Sequence, residues 1–208
     1  CRSGFTAVTE YLANESGYPP AKIIFESLWK QFTSGQRGKI FDLAFQELAI
    51  SFDNQLITEL VHIYRNHQPE ITLPDESKNV LDLLRDKFTL ALLTDGFLPA
   101  QRLKVQALRL EDYFTCTIYT EELGREAWKP SKLGFEKLIK ELNITAEAMV
   151  YIADNAKKDF IAPNKLGSST IQLIRPLRIH KETSNESKSK ANHVIYEITD
   201  LPQLLENL

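Results

Sequence analysis

Polar residues suited to phosphate chemistry follow three short apolar runs of this sequence. Thr94, Asp95 and Gly96 come directly after the first run. Lys129 lies in the loop after the second run, and Asp154 follows the third. Because the carboxyl ends of parallel strands meet at one edge of a sheet, we expect these residues to gather there.

A transferring phosphoryl group needs hydrogen-bond donors and positive charge around its oxygens. The Thr94 hydroxyl and the backbone N–H groups of Asp95 and Gly96 can donate to those oxygens. The Lys129 ammonium can hold both the phosphate and an attacking carboxylate. We therefore predict that Thr94, Asp95, Gly96 and Lys129 bind the phosphate of a substrate, with Thr94 and Lys129 as the catalytic members.

Two aspartates after the third run could serve a metal ion. Asp154 offers the hard carboxylate oxygen that Mg²⁺ prefers, with water and substrate oxygens completing the coordination. Asp159, five residues later, could orient Asp154 or the metal-bound waters. The sequence therefore predicts a Mg²⁺ site at Asp154 and Asp159.

Each of these segments also has a purely structural interpretation. Thr94-Asp95-Gly96 is a common turn sequence, and Lys129 before a proline is often an exposed residue at a helix start. Asp154 could simply cap the following helix. Three such segments in this order, each after a successive apolar run, favour the functional interpretation.

The elements that must position these residues form an α/β pattern. Short apolar runs alternate with amphipathic stretches, which indicates parallel strands covered by helices on both faces. The predicted strands lie at 88–93, 114–119, 149–153 and 170–174, with an edge strand from His193. The predicted helices include one that ends near Arg85, one from Ser131 and one over 161–166.

The first 75 residues show only helical periodicity, with breaks at 17–20, 34–38 and 68–74. The pattern predicts three or four short helices. We therefore expect a helical cap subdomain over 1–75 and an α/β core over 76–208. The core is predicted to be a three-layer, Rossmann-like fold whose parallel sheet lacks its first strand. The polar tract 181–190 is predicted to be a surface loop.

Composition limits the class of partner. With 43% hydrophobic and 25% charged residues the chain is globular in type, and its net charge of -3 gives no reason to expect binding to nucleic acid or to an anionic membrane. No apolar run is long enough to span a bilayer, and no signal peptide is recognisable. Two distant cysteines indicate a reducing compartment. We expect a cytoplasmic protein.

These segments resemble the motifs of the haloacid dehalogenase superfamily. Residues 92–96 match its second motif, 128–130 followed by Phe135 match the third, and 151–159 match the acidic fourth. Ala153 stands where the family usually has glycine. The resemblance covers essentially the whole chain and implies a Mg²⁺-dependent hydrolase with a helical cap.

The first motif of that family, an Asp-x-Asp pair, is absent. The resemblance assigns the nucleophile to its first aspartate and proton donation to its second. Asp42 follows the apolar residues Ile40 and Phe41, but helical spacing continues through Phe45, so we reject it as nucleophile. The sequence begins at Cys1 and not at a methionine. We expect a fragment of a longer polypeptide that is inactive alone.

The leading hypothesis is an intact phosphatase that acts on a small phosphorylated metabolite. A dehalogenase is the rival enzyme, although it would not need a metal ligand such as Asp154. The alternative from another class is a non-catalytic phosphate-binding or scaffolding protein. A small phosphorylated substrate is the expected partner, and a homodimer or a fusion to an upstream segment stays open.

Overall fold

The computed structural model describes residues 1–176, 178 and 187–208, and the chain divides into two compact units. The helical unit comprises Cys1–Ile71 and Phe97–Ala107, and the α/β unit comprises Thr72–Gly96 and Leu108–Leu208. The helices of the helical unit are α1 (Arg2–Ala13), α2 (Ala21–Thr33), α3 (Ile40–Glu47), α4 (Asn54–Asn66) and α6 (Ala100–Ala107).

The helical unit differs in extent from the predicted cap. The prediction placed one boundary after residue 75, whereas the compact unit ends at Ile71 and takes in Phe97–Ala107 as well. The Arg65 guanidinium lies 3.5 Å from the centroid of the Phe97 ring, which joins α4 to the start of the second segment. Helical periodicity could not reveal this grouping because the two segments are distant in sequence.

The helices of this unit pack through their apolar stripes. Phe5 and Leu12 of α1, Ile24 of α2 and Phe45 of α3 are fully or almost fully buried in one cluster. Asp42 lies in the first turn of α3, partly exposed, and not at the end of a strand. The helical interpretation of that segment is therefore confirmed.

The α/β unit contains only parallel strand pairs among its described residues. Its strands are β1 (Ala91–Thr94), β2 (Cys116–Tyr119), β3 (Val150–Ala153), β4 (Ser169–Leu173) and β5 (His193–Ile195). Its helices are α5 (Asp75–Arg85), α7 (Leu133–Leu142), α8 (Ile161–Leu166) and α9 (Leu201–Leu205). The predicted α/β class is confirmed, and the strands follow one another along the chain as predicted.

The strands form two sheets where the sequence predicted one. β1 pairs with β2, and β3, β4 and β5 pair in that order. In the part of the chain that the structure describes, β1 and β3 share no hydrogen bonds. An apolar cavity of about 410 Å³ lies between them, lined by Leu93 of β1 and by Tyr151 and Ile152 of β3, among others.

Helices cover both faces of these strands and make three layers. Leu93, Ile118 and Met149 pack with Phe135 of α7 on one face. Val150, Ile152 and Ile171 pack with α5 and α9 on the other face. Side chains of β3 alternate between the two cores, as a strand covered on both faces requires.

One glycine permits α7 to approach the first sheet closely. A Cβ atom added at Gly134 would lie 3.0 Å from Leu93 Cδ1 and 3.2 Å from Thr120 Cγ2. A larger residue at this position would therefore require the Leu93 or Thr120 side chain to shift by a few tenths of an ångström. This packing fixes the helix that follows the Lys129 loop.

Part of the predicted surface loop 181–190 lies outside the described residues. A short 3-10 helix spans Ser187–Ser189 at its end. None of the described helices is both long and apolar enough to cross a membrane.

Candidate active site

The loops after β1, β2 and β3 come together through direct hydrogen bonds, as the sequence predicted for their residues. The Lys129 backbone N–H donates to Asp95 Oδ2 at 3.2 Å, which links the second loop to the first. Lys129 Nζ lies 2.8 Å from Asp159 Oδ1, which links the second loop to the third. All of these residues belong to the α/β unit.

Asp95 acts through its side chain, where the sequence argument had assigned only its backbone N–H. Thr120 Oγ1 donates to Asp95 Oδ1 at 2.9 Å, and Lys158 Nζ donates to Asp95 Oδ2 at 2.6 Å. Together with the Lys129 N–H, these donors surround a carboxylate whose side chain is only 6% exposed. Asp95 therefore holds the three loops together.

The Lys129 ammonium is almost completely buried, with a side-chain exposure of 9%. It donates to Tyr151 Oη at 3.0 Å and pairs with Asp159. Burial alone would lower the pKa of Lys129, but the contacts with Tyr151 and Asp159 outweigh burial and raise the pKa above its ordinary value. Lys129 is therefore a permanent cation at the strand ends.

Tyr151 projects from β3 beneath Lys129. Its ring packs edge-on against Phe135, with ring centroids 4.8 Å apart. Burial raises the pKa of the Tyr151 phenol to about 12, so the hydroxyl is neutral at physiological pH. The phenol thus offers Lys129 a neutral oxygen and leaves the ammonium charge intact.

Asp159 closes the turn that follows β3. The Asn155 backbone N–H donates to Asp159 Oδ2 at 3.0 Å, and the Asp159 N–H donates back to the Asn155 carbonyl at 3.0 Å. The other carboxylate oxygen contacts Lys129, and the side chain is 5% exposed. These contacts suit the supporting role that the sequence suggested, and direct metal ligation by Asp159 stays a prediction.

Thr94 and Asp154 differ from these residues because their side chains are uncommitted. Across residues 1–176, 178 and 187–208, neither the Thr94 hydroxyl nor the Asp154 carboxylate makes a hydrogen bond or ion pair, and both residues are partly exposed. The Asp154 carbonyl accepts a hydrogen bond from Gln172 Nε2 at 3.3 Å, which fixes the backbone at the end of β3. Both side chains can therefore receive a ligand.

The donor set fits a magnesium ion that keeps most of its water. The described residues include no group of three or more His, Cys, Asp or Glu side chains that could hold a metal. Mg²⁺ is commonly bound by one or two carboxylates plus waters and phosphate oxygens, and Asp154 supplies one such carboxylate. Asp154 would hold the ion, and Asp159 would steady the turn that carries Asp154.

Sequence reasoning missed three residues of the site. Thr120, Lys158 and Tyr151 each contact Asp95 or Lys129 directly. Lys158 sits inside the fourth motif, next to Asp159, so its position gave a signal that could have been used. Gly96 has a φ of 137°, in the region that favours glycine, and its role in phosphate binding stays a prediction.

Comparison with known proteins agrees with the motif order and the fold. Residues 21–173 match the haloacid dehalogenase-like hydrolase family. The chain belongs to this family. By its family the chain is a hydrolase, and its similarity to phosphatases indicates that this hydrolase is a phosphatase.

Three similar proteins illustrate the relationship. A glyceraldehyde 3-phosphate phosphatase of Methanocaldococcus jannaschii is 25% identical over 173 residues, which cover 82% of this chain and 73% of the relative. The magnesium-bound HAD-hydrolase YfnB of Bacillus subtilis has a TM-score of 0.69 at 18% identity, covering 98% of this chain and 92% of YfnB. A HAD family hydrolase of Deinococcus radiodurans with bound phosphate and sodium has a TM-score of 0.67 at 17% identity, covering 100% and 90%.

Proposed function

We propose that this protein contributes the phosphate and magnesium site of a phosphatase that acts on a small phosphorylated metabolite. The observation that carries the proposal is the hydrogen-bonded junction of three loops around Asp95 and Lys129. At the ends of β1 and β3, the Thr94 hydroxyl and the Asp154 carboxylate make no hydrogen bond or ion pair with any residue that the structure describes. A fixed cation, a hydroxyl and a carboxylate are the groups that a phosphate ester and its metal need.

Each residue has a defined task in this proposal. The Thr94 hydroxyl and the N–H groups of Asp95 and Gly96 would donate to phosphate oxygens. Lys129 would neutralise charge on those oxygens, and its buried contacts with Asp159 and Tyr151 would keep the ammonium from moving. A magnesium ion held by Asp154 would polarise the phosphoryl group for attack.

The attacking group is the part of the machinery that the 208 residues do not supply. No two aspartates in the sequence are separated by a single residue, so the Asp-x-Asp pair implied by the family is absent. The cavity has largely apolar walls and lies between β1 of one parallel sheet and β3 of the other. These features support a nucleophile carried by a further strand that is not part of this chain.

Two observations bear on substrate and location. The phosphatase relative named above acts, by its name, on glyceraldehyde 3-phosphate, and a small phosphorylated metabolite is therefore the class we propose. Cys1 and Cys116 are both free thiols in the structure. A reducing compartment such as the cytoplasm suits them, and neither nucleic acid nor a membrane is proposed as a partner.

The test is Mg²⁺-dependent hydrolysis of p-nitrophenyl phosphate. The 208-residue chain would be compared with a version extended by whatever its reading frame encodes before Cys1. We expect turnover only in the extended version, lost on Mg²⁺ removal and reduced by more than about 100-fold in Asp154→Ala. Asp86→Ala, which removes an exposed carboxylate at the end of α5, should leave turnover unchanged.

The absence of the aspartate pair also favours a second candidate, a non-catalytic phosphate-binding protein. This candidate predicts that the extended version is inert while the folded chain still binds inorganic phosphate through Thr94 and Lys129. Turnover by the extended version separates the two, and calorimetric titration with phosphate shows whether an inert version still binds the anion. An extended protein that is folded and neither binds nor hydrolyses phosphate would contradict both candidates.

A further inference from the structure

Two ion pairs join the loops of the two sheets in a reciprocal way. The first sheet carries Lys129 and Asp95 in its loops, and the second sheet carries Lys158 and Asp159. Lys129 pairs with Asp159 at 2.8 Å, and Lys158 pairs with Asp95 at 2.6 Å. Each sheet therefore gives one lysine to an aspartate of the other sheet.

The pair of Lys158 with Asp95 neutralises a buried carboxylate. The Asp95 carboxylate is 6% exposed, and a buried carboxylate without a counter-charge is strongly destabilising. Two further donors to Asp95, the Thr120 hydroxyl and the Lys129 backbone N–H, are uncharged groups. Lys158 supplies the positive charge, and its own side chain is 33% exposed.

The Asp95 carboxylate transmits this contact to Lys129. Both of its oxygens lie within hydrogen-bonding distance of the Lys129 N–H, at 3.3 and 3.2 Å. A carboxylate that rotated or moved toward solvent would release that N–H. The contacts of the Lys129 ammonium with Asp159 and Tyr151 would remain, but the backbone that carries the ammonium would lose its hydrogen bond to Asp95.

We propose that Lys158 is a positioning residue of the phosphate site, which acts through Asp95 to fix the backbone of Lys129 and so the direction of its ammonium. This inference rests on the proposed function, because it assumes that Lys129 binds phosphate. The Lys158 ammonium is already 2.6 Å from Asp95. Its effect on phosphate is therefore indirect.

The first experiment measures the affinity of the folded chain for inorganic phosphate by calorimetry. Lys158→Met should weaken binding about tenfold, the scale found for residues that orient a ligand-binding group. Lys158→Arg retains the charge and should bind within about threefold of the wild type. Lys165→Met removes a charge from an exposed lysine of α8 and should have no effect.

A double-mutant cycle separates indirect from direct action. If Lys158 acts through Asp95, Lys158→Met should weaken phosphate binding by less than about twofold once Asp95→Asn is present. If it weakens binding equally in both backgrounds, Lys158 contacts the phosphate itself and the proposal is overturned.

The second experiment needs no phosphate. Hydrogen exchange at the Lys129 amide, followed by NMR, should be faster in Lys158→Met than in the wild type or Lys165→Met. An unchanged exchange rate overturns the inference even if phosphate binds. Faster exchange in a chain that does not bind phosphate supports the link from Lys158 to Lys129 and counts against the proposed function alone.

Discussion

The side chains buried in the helical unit are apolar, whereas those buried at the strand ends of the α/β unit are charged. The interior of the helical unit consists of aliphatic and aromatic side chains, and Phe5 contacts the rings of Phe32, Phe41 and Tyr64 at centroid distances of 5.2 to 6.3 Å. At the strand ends, the buried groups are the side chains of Lys129 and Asp159, which are 9% and 5% exposed.

The free energies of these two kinds of burial have opposite signs. Removing an aromatic ring from water is favourable in itself. Removing a charge from water is costly and is repaid only by well-placed partners, so a buried ion pair is weak evidence for stability. Buried charges gathered at strand ends are better evidence for a binding site. The contrast separates a packing region from a chemical one.

The largest effect is expected when one partner of the buried pair of Lys129 with Asp159 is removed. Asp159→Ala leaves the Lys129 ammonium without its carboxylate and should lower the free energy of unfolding by about 3–5 kcal/mol. Urea denaturation measures the change. Glu206→Ala breaks an exposed ion pair with Lys87 and should change stability little, because the side chains of Glu206 and Lys87 are 57% and 58% exposed. Equal losses in the two variants would show that burial does not distinguish the pairs.

A matched pair of isoleucines tests the helical unit. Ile24 is 0% exposed and Ile23 is 44% exposed, and both lie on α2. Ile24→Ala should lower the free energy of unfolding by about 2–5 kcal/mol, and Ile23→Ala should change it by about 0.5 kcal/mol or less. Phosphate affinity, measured by calorimetry, should stay within about twofold in both. A large loss of affinity in Ile24→Ala would mean that the helical core also shapes the site.

The smallest expected effect concerns pH and Tyr151. The phenol has an ordinary pKa of 10 and a folded pKa of about 12. Because the folded pKa is raised, the stability that this group contributes is fully present below pH 10 and is lost as pH rises toward 12. The free energy of unfolding should therefore fall more steeply over this range in the wild type than in Tyr151→Phe.

Urea denaturation at several alkaline pH values measures that slope. At neutral pH, Tyr151→Phe should cost only about 0.5–1.5 kcal/mol, because it removes one hydrogen bond to Lys129 and keeps the ring against Phe135. Tyr196, which is 64% exposed, provides the control, and Tyr196→Phe should keep the wild-type slope. Parallel curves for the wild type and Tyr151→Phe would contradict the burial argument.

Order along the chain was enough to predict which residues lie at the carboxyl ends of the strands. Thr94 ends one strand, and Lys129 and Asp154 follow two others, in a βα alternation. Parallel strands bring such positions to one edge. Tyr151 escaped notice because it lies inside a strand, where an aromatic residue is ordinarily read as core. Whether its hydroxyl reaches Lys129 depends on side-chain packing that no sequence period encodes.

The division of the sheet was beyond sequence reasoning for a different reason. The apolar runs of β1 and β3 predict buried strands, but they do not specify which strands are neighbours. Lys158 and Asp95 are likewise 63 positions apart along the chain. A single sequence carries no direct record of such a contact.

The gap between β1 and β3 also bears on how the chain behaves at high concentration. Strand edges that are not covered are templates for pairing with other molecules, and charged side chains, lysine above all, discourage such pairing. Lys87 lines this gap beside Phe88, which is 40% exposed. Lys87, which also pairs with Glu206, therefore places a positive charge beside this gap, and such a charge opposes pairing with another molecule.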